Sequence, residues 1–376
     1  MSFARRPRGA GAGDVDHTPN LQYFNFSLYN AGNRPIIAKV LDTRSTAVLN
    51  NPSEFELSVV RFNVPTNSIP TSLVPFTNNP LIPTETILRV GLGYQGNIIY
   101  QNVLLTTTNR PDDYIFPSGA IFTYGQLLEY VNDAFATVYA QLVLLYPLLT
   151  HTAPPFYVFD PATLLCNLYI PAEYTAYTAN PSPITIHLNE PLFEHYLCNV
   201  RARLTQPLGV IDWELIVNEN TITTTAPAPR VGLPPSLSVF APPLYILYQD
   251  APSIQRWNCL KNIVLTSSLV PTVPEYVNTP GGIGASSPAQ SGNTQSGSLP
   301  IITDFLALGA LDPLRDRVAV EYVPTAEYRM VSMVGITPLF RLDLSVYWVD
   351  TYGGLHPLFI TPLTGLDVKV MFRRRV

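Results

Sequence analysis

Phe340-Arg341-Leu342-Asp343-Leu344-Ser345-Val346-Tyr347-Trp348 alternates without a break: Phe, Leu, Leu, Val and Trp at even positions, Arg, Asp, Ser and Tyr between them. Period two over nine residues predicts a strand with one buried and one wetter face. Each core-facing side chain of that strand contributes roughly 1.5–3 kcal/mol on burial. Asp350-Thr351-Tyr352-Gly353-Gly354 follows, where two glycines suit a turn that needs positive φ. Pro357 to Ile360 reads as a second short strand. Leu366, Val368, Val370 and Phe372 then alternate with Asp367, Lys369 and Arg373 in a third. The three together read as an antiparallel meander that ends in Arg373, Arg374 and Arg375.

The same pattern recurs upstream. Phe24–Tyr29 and 35–41 read as strands, as do 86–90, 97–106, 184–188, 244–248, 263–268, 301–305 and 319–323. In Glu54-Phe55-Glu56-Leu57-Ser58-Val59-Val60-Arg61-Phe62-Asn63-Val64 the apolar positions are odd as far as Val59 and even from Val60 onward. A phase slip of this kind predicts a bulge, or a strand covered on both faces. Residues 156–170 read as a hairpin across Asp160-Pro161, and Pro191–Leu197 as a short helix. One long helix stands out. Thr123 and Gln126 have capping-box spacing, and Leu127, Leu128, Val131, Phe135, Val138, Leu142 and Leu145 recur at three and four.

Composition agrees with a strand-rich chain. The 37 prolines in 376 residues are about twice the usual share, and they are spread throughout. Apolar residues make up 47%, but charged residues only 13%, about half of the roughly 25% usual in soluble domains. A chain with so little charge either covers its surface with Ser, Thr, Asn and Gln or buries much of it against other chains.

Net charge is −5, so nothing global argues for nucleic-acid binding. Basic residues gather at the ends instead: Arg5, Arg6 and Arg8 at the start and Arg373, Arg374 and Arg375 at the finish. These runs suit phosphate contacts, acidic neighbours, or plain solvation. The Gly/Ala/Arg stretch 1–20 reads as an arm, either loose or held by a neighbouring chain. Residues 280–300, rich in Gly, Ser, Ala and Gln, read as a surface loop. Three widely spaced cysteines fit free thiols. No apolar signal-peptide core and no run of eighteen apolar residues occurs, so no membrane-spanning segment is expected.

The motifs of catalysis are missing. There is no phosphate-cradling Gly-rich loop with Lys and no nucleophile elbow. His187, Glu190, Glu194 and His195 form the one cluster with metal-ligand chemistry. Its spacing matches no zinc pattern and Pro191 interrupts it, so the expectation is no metal, no cofactor and no catalytic residue. An enzyme such as a β-sandwich glycosidase would need paired carboxylates, and none are evident.

Several segments, in order, resemble the penton (minor capsid) proteins of virophages, polinton-like viruses and adintoviruses. They are Thr123-Tyr124-Gly125-Gln126-Leu127-Leu128-Glu129-Tyr130 and its continuation, and Ile184-Thr185-Ile186-His187-Leu188-Asn189-Glu190-Pro191-Leu192-Phe193. Next are Trp257-Asn258 with 263–268, Ile302-Thr303-Asp304-Phe305, Tyr322-Val323-Pro324 and Glu327-Tyr328-Arg329. Leu344-Ser345-Val346-Tyr347-Trp348-Val349-Asp350 through Arg373 completes the set. The arginine-rich start and the 280–300 loop do not belong to that pattern. The resemblance implies an all-β jelly-roll β-sandwich with a β-rich insertion containing one main helix. It further implies a homopentamer at the icosahedral vertices of a DNA-virus virion, bordered by the major capsid protein. The expected division is an arm at 1–20, a jelly roll from 21–95 and 241–376, and an insertion at 96–240. The terminal arginines would then contact packaged DNA or neighbouring subunits. A major capsid subunit or a receptor-binding spike is the competing assignment, though no internal duplication of a jelly roll is visible.

Overall fold

In the computed structural model the Gly365–Arg374 strand runs between Leu21–Tyr29 and Phe55–Pro65, antiparallel to both. The structure describes residues 20–105, 119–147, 149, 153–171, 174, 183–199, 201–205, 211–217, 222–224, 244–273, 276–277, 299–306, 319–322 and 329–375. Ala319–Tyr322 closes the far side of the first sheet, whose order is Leu21–Tyr29, Gly365–Arg374, Phe55–Pro65, Ala319–Tyr322. A second sheet is built on Arg341–Asp350, flanked by Leu260–Thr266 on one side and by Lys39–Thr43 and Leu355–Pro357 on the other. Leu299–Leu306 pairs beyond Leu260–Thr266. Four principal strands per sheet, facing one another, make the jelly-roll sandwich.

One core fills the space between these sheets. Phe55, Leu57, Phe62, Val64, Val368, Val370 and Phe372 come from the first sheet, and Ile263, Leu265, Leu342, Leu344, Val346 and Trp348 from the second. This corrects the terminal meander. The Arg341–Asp350 and Gly365–Arg374 strands lie in opposite sheets, and the chain between them crosses over by pairing Phe359–Ile360 with Ile36–Ile37. The reason is burial: two strands with apolar alternation cover both stripes at once by facing each other across a sandwich.

The Arg341–Asp350 strand is also covered on the side expected to be wet. Asp343 is 3% exposed, because its carboxylate accepts from both Ser267 and Ser268 hydroxyls and from the Leu269 N–H at 2.9 Å. The phase slip upstream is a bulge. Arg61 pairs with Lys369 and Val59 with Val370, leaving Val60 between them without a partner in the ladder. The turn glycines divide their tasks. Gly353 takes φ 87, whereas Gly354 is needed for space, since a Cβ there would lie 2.6 Å from the Asp350 carboxylate.

A second body has its own core. A five-stranded sheet runs Ala202–Thr205, Asp212–Leu215, Thr185–Asn189, Glu85–Tyr94, Asn97–Leu104. A four-stranded one runs Ile222–Thr224, Leu244–Leu247, Leu165–Pro171, Phe156–Asp160. The Tyr124–Leu145 helix buries Leu127, Leu128, Val131, Phe135, Val138 and Leu142 against Val90, Ile186 and Leu188 and against Tyr157, Leu168 and Ile170. Thr123 caps it by accepting from the Gln126 N–H at 3.1 Å. The Gln126 amide oxygen accepts in return from the N–H of Phe122, one residue further back than a capping box has it. Buried Asn132 clamps helix to sheet, donating to the Tyr157 carbonyl at 2.9 Å and accepting from its N–H at 2.7 Å. Leu145, part of the apolar stripe, is 65% exposed where the helix outruns the sheet. Pro191–Leu197 forms a turn of π-helix. Glu85–Tyr94 and Leu244–Leu247, read from sequence as jelly-roll strands, pair in the sheets of this helix-bearing body. Cys166, Cys198 and Cys259 are free thiols, and burial pushes Cys166 and Cys259 well above the usual thiol range.

Candidate assembly site

Of the arginine runs, Arg5, Arg6 and Arg8 lie outside the described residues, as do the rest of the arm through residue 19 and the loop 280–298. The C-terminal run is held by the first sheet. Arg373 is the ladder partner of Glu56, and the two side chains close an ion pair at 2.9 Å. Arg374 pairs with Glu54 at 2.5 Å, and Arg375 donates to the Met333 carbonyl at 3.2 Å. Two of the three cations are thus matched by a carboxylate. Such exposed pairs contribute only about 0–1 kcal/mol each, so a stronger anion can displace them. The Arg374 N–H also donates to the Asn20 carbonyl. The start of the described chain and its end therefore sit together, at the end of the sandwich where the Phe55–Pro65 strand begins.

That end is also apolar. Leu269, Val273, Val334, Ile336 and Phe340 are exposed there, Ile336 at 78%. They lie on two loops tied by the Thr272–Met333 bridge and by the Val273 N–H to Ser332 carbonyl bond. Along the sheet edge, Leu21, Tyr23 and Tyr29 are exposed as well. Sequence reading missed the loop surface because isolated apolar residues in turns carry no period, and the edge because alternation does not show which face of a strand is covered.

The His187, Glu190, Glu194 and His195 set does not converge. His187 is buried on the five-stranded sheet, with its Nε2 2.9 Å from the Thr185 hydroxyl and its Nδ1 3.5 Å from Asp212. His195 packs edge-on against Tyr196, and burial and then Arg256 hold its pKa below the usual imidazole range. Among the described residues no three His, Cys, Asp or Glu side chains are placed to hold a metal. No helix of the described residues is long and apolar enough to cross a membrane.

The polar group that the structure does assemble was not evident from sequence. Asp212, fully buried, accepts from the Tyr100 hydroxyl at 2.7 Å and lies 3.6 Å from Arg89, whose guanidinium stacks over the Tyr100 ring at 4.2 Å. Burial, then the hydrogen bond to Asp212, pushes the Tyr100 hydroxyl above its usual range. Gly91 makes room: a Cβ there would meet the Tyr100 ring at 2.7 Å. An open cleft of about 410 Å³ beside Arg89 is lined by Ile87, Asn102, Asn189 and Ile211. Its amides already serve the sheet. Asn189 accepts from the Arg89 N–H and donates to the Ile87 carbonyl, and Asn102 donates to Glu85. The group ties three strands together, and Thr77 and Glu190 also line the cleft.

Comparison with known proteins gives a consistent result. The family model described as Sputnik minor capsid protein V18/19 matches residues 20–374. Structural protein V19 of Sputnik virophage is 32% identical over 139 residues, which is 36% of this chain and 58% of that protein. Protein V18 of the same virophage is 30% identical over 113 residues, 25% of this chain and 66% of that protein. The matches thus span about three-fifths to two-thirds of those relatives. A chain in the cryo-EM structure of the Sputnik virophage superposes with TM-score 0.72 at 23% identity, covering 95% of this chain and 98% of that one. The mavirus penton protein superposes with TM-score 0.63 at 15% identity, covering 94% of this chain and 100% of that one. With the match running over nearly its whole length, this chain belongs to the Sputnik minor capsid protein V18/19 family.

Proposed function

We propose that this chain is a structural protein of a DNA-virus virion, the penton subunit, five copies of which close each icosahedral vertex beside the major capsid protein. The observation that carries this reading is family membership across residues 20–374. The fold supports it, since a jelly roll with one inserted body aligns over nearly all of the mavirus penton protein. No catalytic role is assigned to any residue. Low charge fits a subunit whose flanks are covered by neighbours, and obligate interfaces commonly exceed about 2,000 Å². Native mass spectrometry of the purified chain tests the ring directly. Five times the subunit mass is expected, and a stable monomer, dimer or trimer at micromolar concentration sinks it.

In this reading the arm is residues 1–20 and the sandwich is built from the two ends of the chain. The insertion contributes the core that runs from Val74 to Trp257, and it faces outward. Arg5, Arg6, Arg8, Arg373, Arg374 and Arg375 belong to the inner face, where phosphate of packaged DNA gives a short arginine run a gain from counterion release. Deleting residues 1–12 is expected to weaken vertex attachment or DNA contact and to leave the subunit folded. Cleavage of the arm by protease on intact particles would place it outside instead.

A further inference from the structure

The Leu21–Tyr29 strand is an edge, and its hydrogen-bonding pattern is readable. The Arg374 N–H donates to the Asn20 carbonyl and the Asn30 N–H to the Thr364 carbonyl. Both pairs continue the register that joins Leu21 to Arg373 and Tyr29 to Gly365. Bonded pairs alternate along an antiparallel ladder, so the even residues of this strand bond to Gly365–Arg374. The odd residues, Leu21, Tyr23, Asn25, Ser27 and Tyr29, turn their N–H and C=O groups outward. Among the described residues nothing pairs with them. All five are exposed.

Proteins that live as monomers protect such an edge with charge, proline, a bulge or a covering loop. This strand reads Leu-Gln-Tyr-Phe-Asn-Phe-Ser-Leu-Tyr. It carries no charge and no proline, and its register with Gly365–Arg374 is unbroken over nine pairs. Among the described residues the opposite edge of the same sheet is Ala319–Tyr322, with Val331–Ser332 further along the same side of Phe55–Pro65. Three antiparallel steps separate Ala319–Tyr322 from Leu21–Tyr29, so they run in opposite directions. Rotation about an axis parallel to the strands leaves each strand's direction unchanged. A head-to-tail ring built about such an axis brings the Leu21–Tyr29 edge of one copy against a strand running antiparallel to it in the next, the orientation a continued ladder needs.

The geometry points to the Leu21–Tyr29 edge as the main-chain seam between copies of this chain, with the neighbour's Ala319–Tyr322 edge as its partner. This rests on the ring reading and adds to it which backbone groups hold the ring. It also gives the ring its polarity: each subunit offers two unlike edges of one sheet, as a heterologous, closing contact requires.

Asn25→Pro tests it. Proline at an odd position removes one outward N–H and leaves the bonds to Gly365–Arg374 in place. Native mass and hydrogen–deuterium exchange are read on the full-length wild type and on the variant. The expected result is a wild-type pentamer whose 21–29 peptide holds the outward amides of Tyr23 and Ser27 at least a hundredfold slower than unprotected chain. The variant should be folded by circular dichroism, associate at least tenfold more weakly, and exchange those amides freely. Should Asn25→Pro fail to fold, the wild-type exchange decides alone. A wild-type pentamer with fast outward amides, or an Asn25→Pro pentamer of undiminished stability, overturns the seam and leaves the ring standing. A wild-type dimer with a protected edge overturns the seam in favour of two-fold self-pairing. A wild-type monomer removes the ring itself.

Discussion

Arg373 and Glu56 are ladder partners on adjacent strands, and their side chains meet at 2.9 Å on a surface where the arginine remains half exposed. Glu54, in the turn just ahead of that strand, closes a second ion pair with Arg374, whose own ladder partner is Phe55. The C-terminal cations are therefore held in place by carboxylates that any phosphate must displace. Replacing both carboxylates, Glu54→Gln with Glu56→Gln, should lower stability by no more than about 1–2 kcal/mol and raise affinity for duplex DNA. Urea unfolding and fluorescence anisotropy at two salt concentrations check the two halves. An affinity that does not move separates these arginines from phosphate binding.

Asp343 should give the sandwich an acid-sensitive element. Burial pushes its carboxyl up, but the hydrogen bonds from Ser267, Ser268 and the Leu269 backbone outweigh this and hold its pKa below the usual carboxylate range. A folded-state pKa below the unfolded value means that the contribution is complete above the ordinary carboxylate range. It is lost as pH falls through the depressed value. Asp343→Ala strands several buried donors and should cost about 2–4 kcal/mol at neutral pH. The gap to wild type should narrow in acid, as thermal melts between neutral pH and the acid limit would record.

Gly91 is under the Tyr100 ring, with the His187 Cβ 3.2 Å from where its own Cβ would stand. Gly91→Ala should therefore destabilise by about 1–3 kcal/mol through overpacking. Tyr100→Ser in the same chain should recover part of the loss, whereas the same pair of changes would be additive at unconnected sites. A double-mutant cycle by chemical denaturation measures the coupling.

Asn132 is the helix's polar anchor, bonded twice to the backbone of Tyr157. Asn132→Ala leaves a buried N–H and a buried carbonyl without partners and should cost about 2–4 kcal/mol. Thr123→Ala removes only the N-cap and should cost about 1 kcal/mol. If the two variants prove equal, the clamp carries less than its geometry implies.

How much of this was legible beforehand depends on the distance over which each feature is encoded. The helix was readable because its stripe and its cap lie within one stretch, and the bulge because Val59 and Val60 break the phase side by side. The sheet partition was not, since alternation looks the same whether two strands lie edge to edge or face to face. Asp343 looked like an outward residue because the loop that covers it is 74 residues away, at Leu269. The C-terminal arginines were visible as charges, but Glu56, which matches Arg373, lies 317 positions earlier. Arg89, Tyr100 and Asp212 come from three separate strands, and no local pattern marks that they meet.

The insertion also imposes an order in time. Ser27 donates to Asp367, 340 residues later, so the first strand of the sandwich leaves the ribosome long before the central strand it must join. The helix-bearing body, whose core needs nothing beyond Trp257, is complete while the sandwich still lacks half its strands. Contacts this far apart in sequence close slowly, and until they close the Leu21–Tyr29 strand is unsupported along both sides. A nascent chain in that state is exposed to mispairing with other nascent chains. The Gly365–Arg374 strand therefore acts as a latch: until it is in place the Leu21–Tyr29 strand has no neighbour in the sheet.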